Sequence, residues 1–304
     1  MKQNPIGWCD DTINPIVGCS KCSPGCQNCY AEKFAARLAK NPKTAKKYAG
    51  VVDENGKWNG SVRYHVSWYE QLPKKPKRIF LNSMSDFFHP AVIEEDLHEI
   101  LDLIVKFGCQ HTFLVLTKRP ERARDMLACR ALPPNVWLGV TVCNQEEADA
   151  KIPVLLQIPA AKRFISIEPM LGQVDLACCL KMEERHYQGD SMSGFTDHNP
   201  LLHWVICGGE TGPGARPMHP EWARSLRGQC QSAGVPFYFK GWGGWMPCDN
   251  GAYQRHMGTW VNKRFVNGIG DTLDSSLNMS RINAKVFGHN LLDGQEWLQF
   301  PEAR

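Results

Sequence analysis

Four of the chain's 13 cysteines crowd into one stretch of eleven residues, at Cys19, Cys22, Cys26 and Cys29. Pro24 and Gly25 predict a tight turn within this stretch, so a short loop can direct several thiolates toward one point. The first residues of the chain lack the apolar core of a secretion signal, and we therefore expect no disulfide framework. Thiolates grouped in this way predict a metal centre or redox chemistry.

Three kinds of metal site compete for these thiols. Zinc sites normally separate two Cys-x-x-Cys pairs by a dozen or more residues, whereas only three residues separate the pairs here. A ferredoxin cluster usually takes a further cysteine followed by proline, and no such residue comes after Cys29. The spacing Cys22-x3-Cys26-x2-Cys29, followed by Tyr30, would instead hold a four-iron cluster with one iron free for a small molecule. That spacing resembles the signature of radical S-adenosylmethionine enzymes.

The other nine cysteines are scattered, several of them in apolar runs such as 204–207. Free cysteine behaves there as a small hydrophobic side chain, so we expect these residues to have packing roles. They are Cys9, Cys109, Cys129, Cys143, Cys178, Cys179, Cys207, Cys230 and Cys248.

Short apolar strands alternate with helical patterns through most of the chain. Strands are predicted at 78–82, 111–117, 136–142, 163–167, 204–207 and 236–239. Helices are predicted at 31–48, 92–107, 120–129, 145–157 and 220–232. This alternation indicates an α/β fold with a parallel sheet covered on both faces. Six or seven such units predict a full or partial parallel (β/α) barrel.

Two regions depart from the alternation. Residues 181–199 are polar and predict a surface insertion. From residue 243 onward the chain loses its periodicity and is rich in Asn, Gly and Trp. We therefore predict a barrel domain at 1–242 and a small irregular C-terminal extension at 243–304 that packs on it.

Polar residues follow the predicted strands, at the end where parallel barrels place their chemistry. A pocket for S-adenosylmethionine needs donors for its carboxylate, acceptors for its ammonium and ribose hydroxyls, and glycine where backbone approaches closely. Asp86 and Glu210 are candidate acceptors, and Lys118 is suited to a carboxylate or phosphate. The candidate cofactor-binding residues are Ser83, Ser85, Asp86, Lys118, Glu168, Gly208, Gly209 and Glu210.

Basic residues cluster at 37–47 and again at 74–78, with Trp58, Tyr64, Trp68 and Tyr69 between the clusters. Such clusters are most often solvated faces, but interleaved aromatic residues also suit a nucleic-acid groove. The formal net charge of +4 permits a polyanionic partner without requiring one. No run of 18 apolar residues occurs, so we predict no membrane span and expect a cytoplasmic protein.

Short motifs, each different from the others, are distributed over nearly the whole chain. They are Asn14-Pro15, Gly18-Cys19, Ser23-Pro24-Gly25-Cys26, Cys29-Tyr30-Ala31-Glu32, Ser83-Met84-Ser85-Asp86, Leu116-Thr117-Lys118-Arg119-Pro120-Glu121-Arg122, Ser166-Ile167-Glu168-Pro169, Gly208-Gly209-Glu210, Phe239-Lys240 and Leu292-Asp293-Gly294. Together they resemble a phage and prophage group of radical S-adenosylmethionine proteins described by their three-cysteine motif. Matches spread this widely are specific for that family, though not for a substrate.

One departure from the family pattern concerns the third cluster ligand. In that pattern the first cysteine falls at the position of Cys19 and position 22 is commonly apolar. The general radical-enzyme spacing selects Cys22 instead. This sequence has both, so either can accompany Cys26 and Cys29.

The resemblance implies a barrel of the radical S-adenosylmethionine type, a 4Fe-4S cluster and S-adenosylmethionine as cofactors, and an electron donor such as flavodoxin. It also implies a deoxyadenosyl radical that abstracts hydrogen from the substrate. The phage context implies DNA with modified thymine as the substrate, in the host cytoplasm. The specific hypothesis is an isomerase of thymidine hypermodification that moves a glycyl attachment on the thymine methyl carbon from nitrogen to carbon.

Two alternatives remain open. A lyase that repairs a thymine photolesion would act on ultraviolet-damaged DNA and would need no modified base. A zinc-stabilised nucleic-acid-binding protein would use all four thiols and would not be an enzyme. It would explain the cysteines and the basic clusters, but not the polar strand ends.

Overall fold

Seven parallel strands form one curled sheet in the computed structural model, which describes residues 6–180, 182–185, 197–212, 214–247, 279–281 and 290–302. Each strand pairs with its neighbours in chain order, and β1 and β7 are the two edges. The result is a half-barrel, which confirms the predicted α/β class and partial parallel barrel. The strands are β1 Asp11–Ile13, β2 Arg78–Leu81, β3 Thr112–Thr117, β4 Val136–Thr141, β5 Arg163–Ile167, β6 Trp204–Gly208 and β7 Phe237–Gly241.

Six α-helices accompany the sheet in the described ranges, and the last four of them pack their buried side chains against it. They are α1 Tyr30–Lys40, α2 Ala45–Tyr48, α3 Glu94–Phe107, α4 Pro120–Met126, α5 Gln145–Gln157 and α6 Pro220–Ser232. The helix predicted at 31–48 is wrong as a single element, because Asn41 is extended and Pro42 separates α1 from α2. The three-residue strand β1 was not predicted, since it is too short to show a period. No helix in the described ranges is long and apolar enough to cross a membrane.

Short antiparallel pairs lie beside the main sheet. They join Ile16–Val17 to Arg63–Tyr64, Met182–Arg185 to Asp197–Pro200, Trp245–Pro247 to Met279–Arg281, and Leu291–Leu292 to Gln295–Glu296. The second pair is the described part of the predicted insertion, and residues 186–196 lie outside the described residues. In the predicted C-terminal extension, residues 248–278 and 282–289 also lie outside them.

Aromatic side chains fill the concave face of the half-barrel. Trp8 packs on Phe80 and on Trp204, with ring centroids 4.7 and 6.2 Å apart. Phe300, near the C-terminus, packs against Trp204 and Tyr238 at 5.3 Å from each. The segment around Phe300 also hydrogen-bonds to the backbone of β7. The concave face is therefore a packed aromatic core that supports the strand ends above it.

Gly139 in β4 offers a direct test of this packing. A Cβ at this position would lie 2.6 Å from the ring of Phe164. We expect Gly139→Ala to lower the free energy of unfolding by about 1–3 kcal/mol through overpacking. Gly228→Ala in α6 is the control, because no atom lies within 4 Å of its Cβ position and alanine favours a helix by about 1 kcal/mol. Urea denaturation measures both, and equal stability of Gly139→Ala and wild type would contradict the packing.

Candidate functional site

A cavity of about 180 Å³ lies at the carboxyl edge of the sheet. Residues at or just after the carboxyl ends of β2 to β7 contribute to its wall, together with the loop that carries the four clustered cysteines. Cys19, Cys26 and Cys29 line this cavity, whereas Cys22 is exposed and is not part of its lining. Of the predicted cofactor-binding residues, the cavity wall includes Ser83, Ser85, Asp86, Lys118, Glu168, Gly209 and Glu210.

The cysteine loop contains one tight helical turn, Pro24–Cys26. The Ser23 hydroxyl accepts a hydrogen bond from Gly25 N, and Pro24 supplies the backbone angle that a first helical position requires. Gly25 lets the loop approach the sheet, because a Cβ there would lie 2.5 Å from the sulfur of Cys143. The turn is thus formed by its own residues, and the absence of a side chain at Gly25 lets the turn pack against the strand ends.

Asp86 anchors one side of the loop. Its carboxylate accepts hydrogen bonds from Thr117 Oγ1 at 2.7 Å, Lys118 N at 2.9 Å and Arg119 Nη1 at 2.9 Å. Arg119 in turn donates to the carbonyl oxygen of Ser20 inside the loop. Burial would lower the pKa of Arg119, but the charge and hydrogen bond of Asp86 and the charges of the Cys22 and Cys19 thiolates together raise that pKa. The structure therefore gives Asp86 an internal role, and its predicted role as a ligand acceptor stays a prediction.

Glu210 anchors the opposite side. Its carboxylate pairs with Arg216 through Nη2 at 2.6 Å and Nε at 2.8 Å, and accepts from Asn28 Nδ2 at 3.0 Å. Arg216 also donates to the carbonyl oxygen of Pro24 at 3.0 Å. Burial opposes ionisation of Glu210, yet these hydrogen bonds hold its pKa below the usual value. Glu210, like Asp86, positions the cysteine loop.

The two predicted serines also hold the backbone that leads into the loop. Ser83 Oγ donates to Asn14 Oδ1 at 3.2 Å, and Ser85 Oγ donates to the carbonyl oxygen of Gly18 at 2.6 Å. Their hydroxyls therefore fix residues 14–18, although both residues border the cavity.

The predicted glycines make close contacts within the protein. A Cβ on Gly209 would lie 2.0 Å from the carbonyl oxygen of Trp242, so the chain after β7 requires glycine there. Gly208 is not part of the cavity lining, and a Cβ there would lie 2.9 Å from Glu168 Oε1. Both positions need glycine for internal packing, and their predicted contact with a cofactor stays a prediction.

Glu168 lies at the floor of the cavity and joins three elements. Lys240 Nζ of β7 pairs with it at 2.7 Å, and Trp8 Nε1, just before β1, donates to it at 3.1 Å. Ser166 Oγ of β5 donates to the same carboxylate at 3.3 Å. Trp8 was missed by the sequence analysis, because nothing in its neighbourhood links it to a residue 160 positions away.

Three polar groups in the cavity wall have no partner in the described part of the chain. The Lys118 ammonium makes no hydrogen bond or ion pair there, and the same holds for Asn82 Nδ2 and Thr141 Oγ1, whose residues are 1% exposed. Burial lowers the pKa of Lys118, but the charges of Asp86 and of the ionised Cys26, Cys143 and Cys29 thiols together raise it. A buried polar group without a partner is costly, so Asn82 Nδ2 and Thr141 Oγ1 indicate a ligand with polar groups, and the half-buried Lys118 lines the same cavity.

The nucleic-acid groove predicted between the two basic clusters is not formed as expected. Trp68 is fully buried and Tyr69 stacks on Phe107, so neither is available to a base. Lys77 and Arg78 lie at the amino end of β2, away from the cavity, and pair with aspartates. At the start of α1, ahead of the first basic cluster, Tyr30 lines the cavity.

A family model described as "Protein of unknown function (DUF5131)" matches residues 3–301. The chain belongs to the DUF5131 family. Comparisons with curated proteins and with solved structures found no match. The matched region takes in the cysteine loop and all seven strands, so the cavity lies wholly within the DUF5131 region.

The thiols of the DUF5131 loop fit a cluster better than a single metal ion. In the described ranges, no three Cys, His, Asp or Glu side chains are placed to share one ion. A four-iron cluster makes a different demand, because each thiolate binds a different iron and the ligands lie further apart. Three soft sulfur donors on one cavity wall suit such a cluster chemically, and the unpartnered Asn82 Nδ2 and Thr141 Oγ1 in the same wall are available to hydrogen-bond a polar molecule.

His89 contacts the DUF5131 loop at Ser20. This buried residue contacts Ser20 Oγ through Nε2 at 2.8 Å, and its Nδ1 accepts from Ala91 N at 3.1 Å. Because Nδ1 is an acceptor, the proton of the neutral ring lies on Nε2. Burial, reinforced by the charge of Arg119, lowers the pKa of His89 to about 4.

This pKa predicts a specific dependence of stability on pH. In the unfolded chain His89 binds a proton near its ordinary pKa of 6.5, whereas in the folded chain it stays neutral down to about 4. The contribution of His89 to the free energy of unfolding is therefore complete above pH 6.5 and is lost as the pH falls toward 4. Urea titrations between these values should show a shallower pH slope for His89→Gln than for wild type. Identical slopes would contradict the assignment.

Proposed function

We propose that the protein is a radical S-adenosylmethionine enzyme whose 4Fe-4S cluster is held by Cys19, Cys26 and Cys29. The observation that carries this proposal is the shared wall of one cavity, where these three thiols lie together with the unpartnered Lys118 ammonium. Cys22 is exposed and is not part of the cavity lining, although its thiol hydrogen-bonds that of Cys26, and its absence from the lining favours Cys19 as the third ligand. The same arrangement speaks against a zinc site made by all four thiols.

The cofactors would supply, when bound, a carbon-centred radical able to abstract hydrogen from a substrate C–H bond, with the electron coming from a donor such as flavodoxin. The chain's own residues would bind and orient the cofactor. Lys118 would hold a carboxylate, such as that of S-adenosylmethionine, as a charge-assisted hydrogen-bond donor. Asn82 Nδ2 and Thr141 Oγ1 would satisfy their hydrogen bonds on the ligand's polar groups. Trp8, Phe80 and Leu116 line the cavity with apolar surface that would exclude water from the reacting carbon.

We propose DNA as the substrate, on the basis of the face of α1 beside the cavity. Tyr30 lines the cavity and is 44% exposed, and Phe34 one turn later is 47% exposed. The guanidinium of Arg37 lies 4.6 Å from the Phe34 ring centroid. Residues 30–50 contain six basic side chains and one acidic side chain, the buried Glu32. Exposed aromatic rings within a basic surface suit the bases and phosphates of a nucleic-acid strand.

Within that class, the reaction we propose is isomerisation of a glycyl-modified thymine. Loss of hydrogen from the glycyl alpha carbon lets the thymine methylene carbon move from nitrogen to that carbon, and return of hydrogen completes the step. One carbon–nitrogen bond breaks and one carbon–carbon bond forms, so no further reactant is consumed. The resemblance to the phage proteins supports this reaction, and the cavity would accept one base extruded from the strand.

The ligand assignment predicts which variants lose iron. Reconstituted anaerobically, wild type should hold about four irons per chain. Cys19→Ser, Cys26→Ser and Cys29→Ser should lose most of this iron, because each removes a thiolate of the cavity wall. Cys22→Ser is the matched control and should retain it. Iron and sulfide analysis measures all five proteins. Zinc without iron in wild type, or iron loss in Cys22→Ser with retention in Cys19→Ser, would overturn the assignment.

The substrate assignment predicts a binding defect confined to α1. Phe34→Ala should weaken binding of a single-stranded oligonucleotide about tenfold, because one stacking contact is lost. Phe107→Ala is the matched control, since Phe107 is also exposed and also lies beside a lysine, but on α3. Fluorescence anisotropy at two salt concentrations gives both affinities. Equal affinities would contradict DNA docking on α1 and leave the cluster proposal untouched.

Conversion of ultraviolet-damaged DNA, with glycyl-modified DNA unchanged, would favour the photolesion lyase.

A further inference from the structure

Cys178 and Cys179 are adjacent cysteines in the segment that joins β5 to β6, outside the cavity lining. Their sulfur atoms lie 3.3 Å apart. Cys178 is exposed and Cys179 is half-buried. A backbone hydrogen bond of 2.8 Å from Cys179 N to Leu176 O holds the turn that carries them. The proposed cluster uses neither thiol, so this pair needs an account of its own.

We propose that Cys178 and Cys179 form a reversible dithiol–disulfide site that small-molecule disulfides oxidise. The Cys178 thiolate attacks one sulfur of the small disulfide, forms a mixed disulfide and releases one thiolate. Cys179 then gives up its proton and attacks the Cys178 sulfur, which releases the second small thiol. The pair loses two electrons and two protons, and the small disulfide gains both to become two thiols.

The order of attack follows from the surroundings of the two sulfurs. Burial, with the hydrogen bond to Cys178, raises the pKa of Cys179 to about 12, so Cys179 remains a thiol at neutral pH. Cys178 is the exposed member and the one that an external disulfide can reach. Cys179 then lies within reach to close the ring, because its sulfur is already in contact with that of Cys178.

The disulfide formed in this way is easily reduced. A single peptide bond sets the Cα–Cα distance of neighbouring residues at about 3.8 Å, whereas disulfides normally span about 4.4–6.8 Å. A bond between neighbours is therefore strained, and strained disulfides have more oxidising potentials. The pair is suited to a reversible change of state rather than to a permanent crosslink.

Two other exposed cysteines provide internal controls. Cys109 and Cys129 make no sulfur–sulfur contact in the described part of the chain. They can accept a small thiol from a disulfide but cannot expel it by closing a ring. Trypsin separates the three sites, because cleavage after Arg163 and Lys181 yields a peptide whose only cysteines are Cys178 and Cys179.

The test treats the full chain with oxidised glutathione, blocks the remaining thiols with iodoacetamide and maps tryptic peptides by mass. Peptide 164–181 should be two hydrogens lighter and carry neither glutathione nor the blocking group, and dithiothreitol should restore it. The peptides with Cys109 and Cys129 should carry one group or the other. In the Cys179→Ser variant the reaction should stop at the mixed disulfide between glutathione and Cys178. Two blocked thiols in peptide 164–181, or glutathione retained there in wild type, would overturn the proposal.

Discussion

Two ion pairs fix the cysteine loop against the sheet, one on each side. Arg119 with Asp86 ties the loop to the ends of β2 and β3, and Arg216 with Glu210 ties it to the end of β6. Each arginine also donates to a carbonyl oxygen of the loop, so the backbone itself is held. Removing one partner of such a buried pair typically costs about 3–5 kcal/mol, because a charge is left uncompensated. The position of the thiols therefore depends on charges that are paired within the protein.

The alternation of strands and helices was predictable from the sequence because its period is local. Strand β5 and helices α5 and α6 were predicted with the bounds that the structure has, and β2, β3 and β4 within one residue. The turn around Pro24 and Gly25 was predictable for the same reason, since proline and glycine act on their own backbone. Elements whose form depends on distant residues, such as β1, were not predictable.

The sequence predicted most of the site's residues, but not the ion pairs and hydrogen bonds that join them. Asp86 and Glu210 follow strands as ligand acceptors would, yet each is engaged by an arginine. Arg216 and Trp8 have no sequence signal that links them to their partners, because the contacts are made by the curvature of the sheet. For Asn82 the residue type itself was an available signal, because asparagine adopts left-handed backbone angles more readily than most residues. In the structure its φ is 61°, which is left-handed. A strand that ends in asparagine therefore marks a special backbone position.

Glu168 gives the half-barrel an unusual mechanical property. The two edge strands never pair with each other in the described residues, yet Trp8 before β1 and Lys240 in β7 both hold this one carboxylate. The same carboxylate forms part of the cavity floor. A ligand that draws Glu168 toward itself must compete with the contacts that join the two edges. Binding at this carboxylate and the contacts that join the two edge strands would thus be linked through a single side chain.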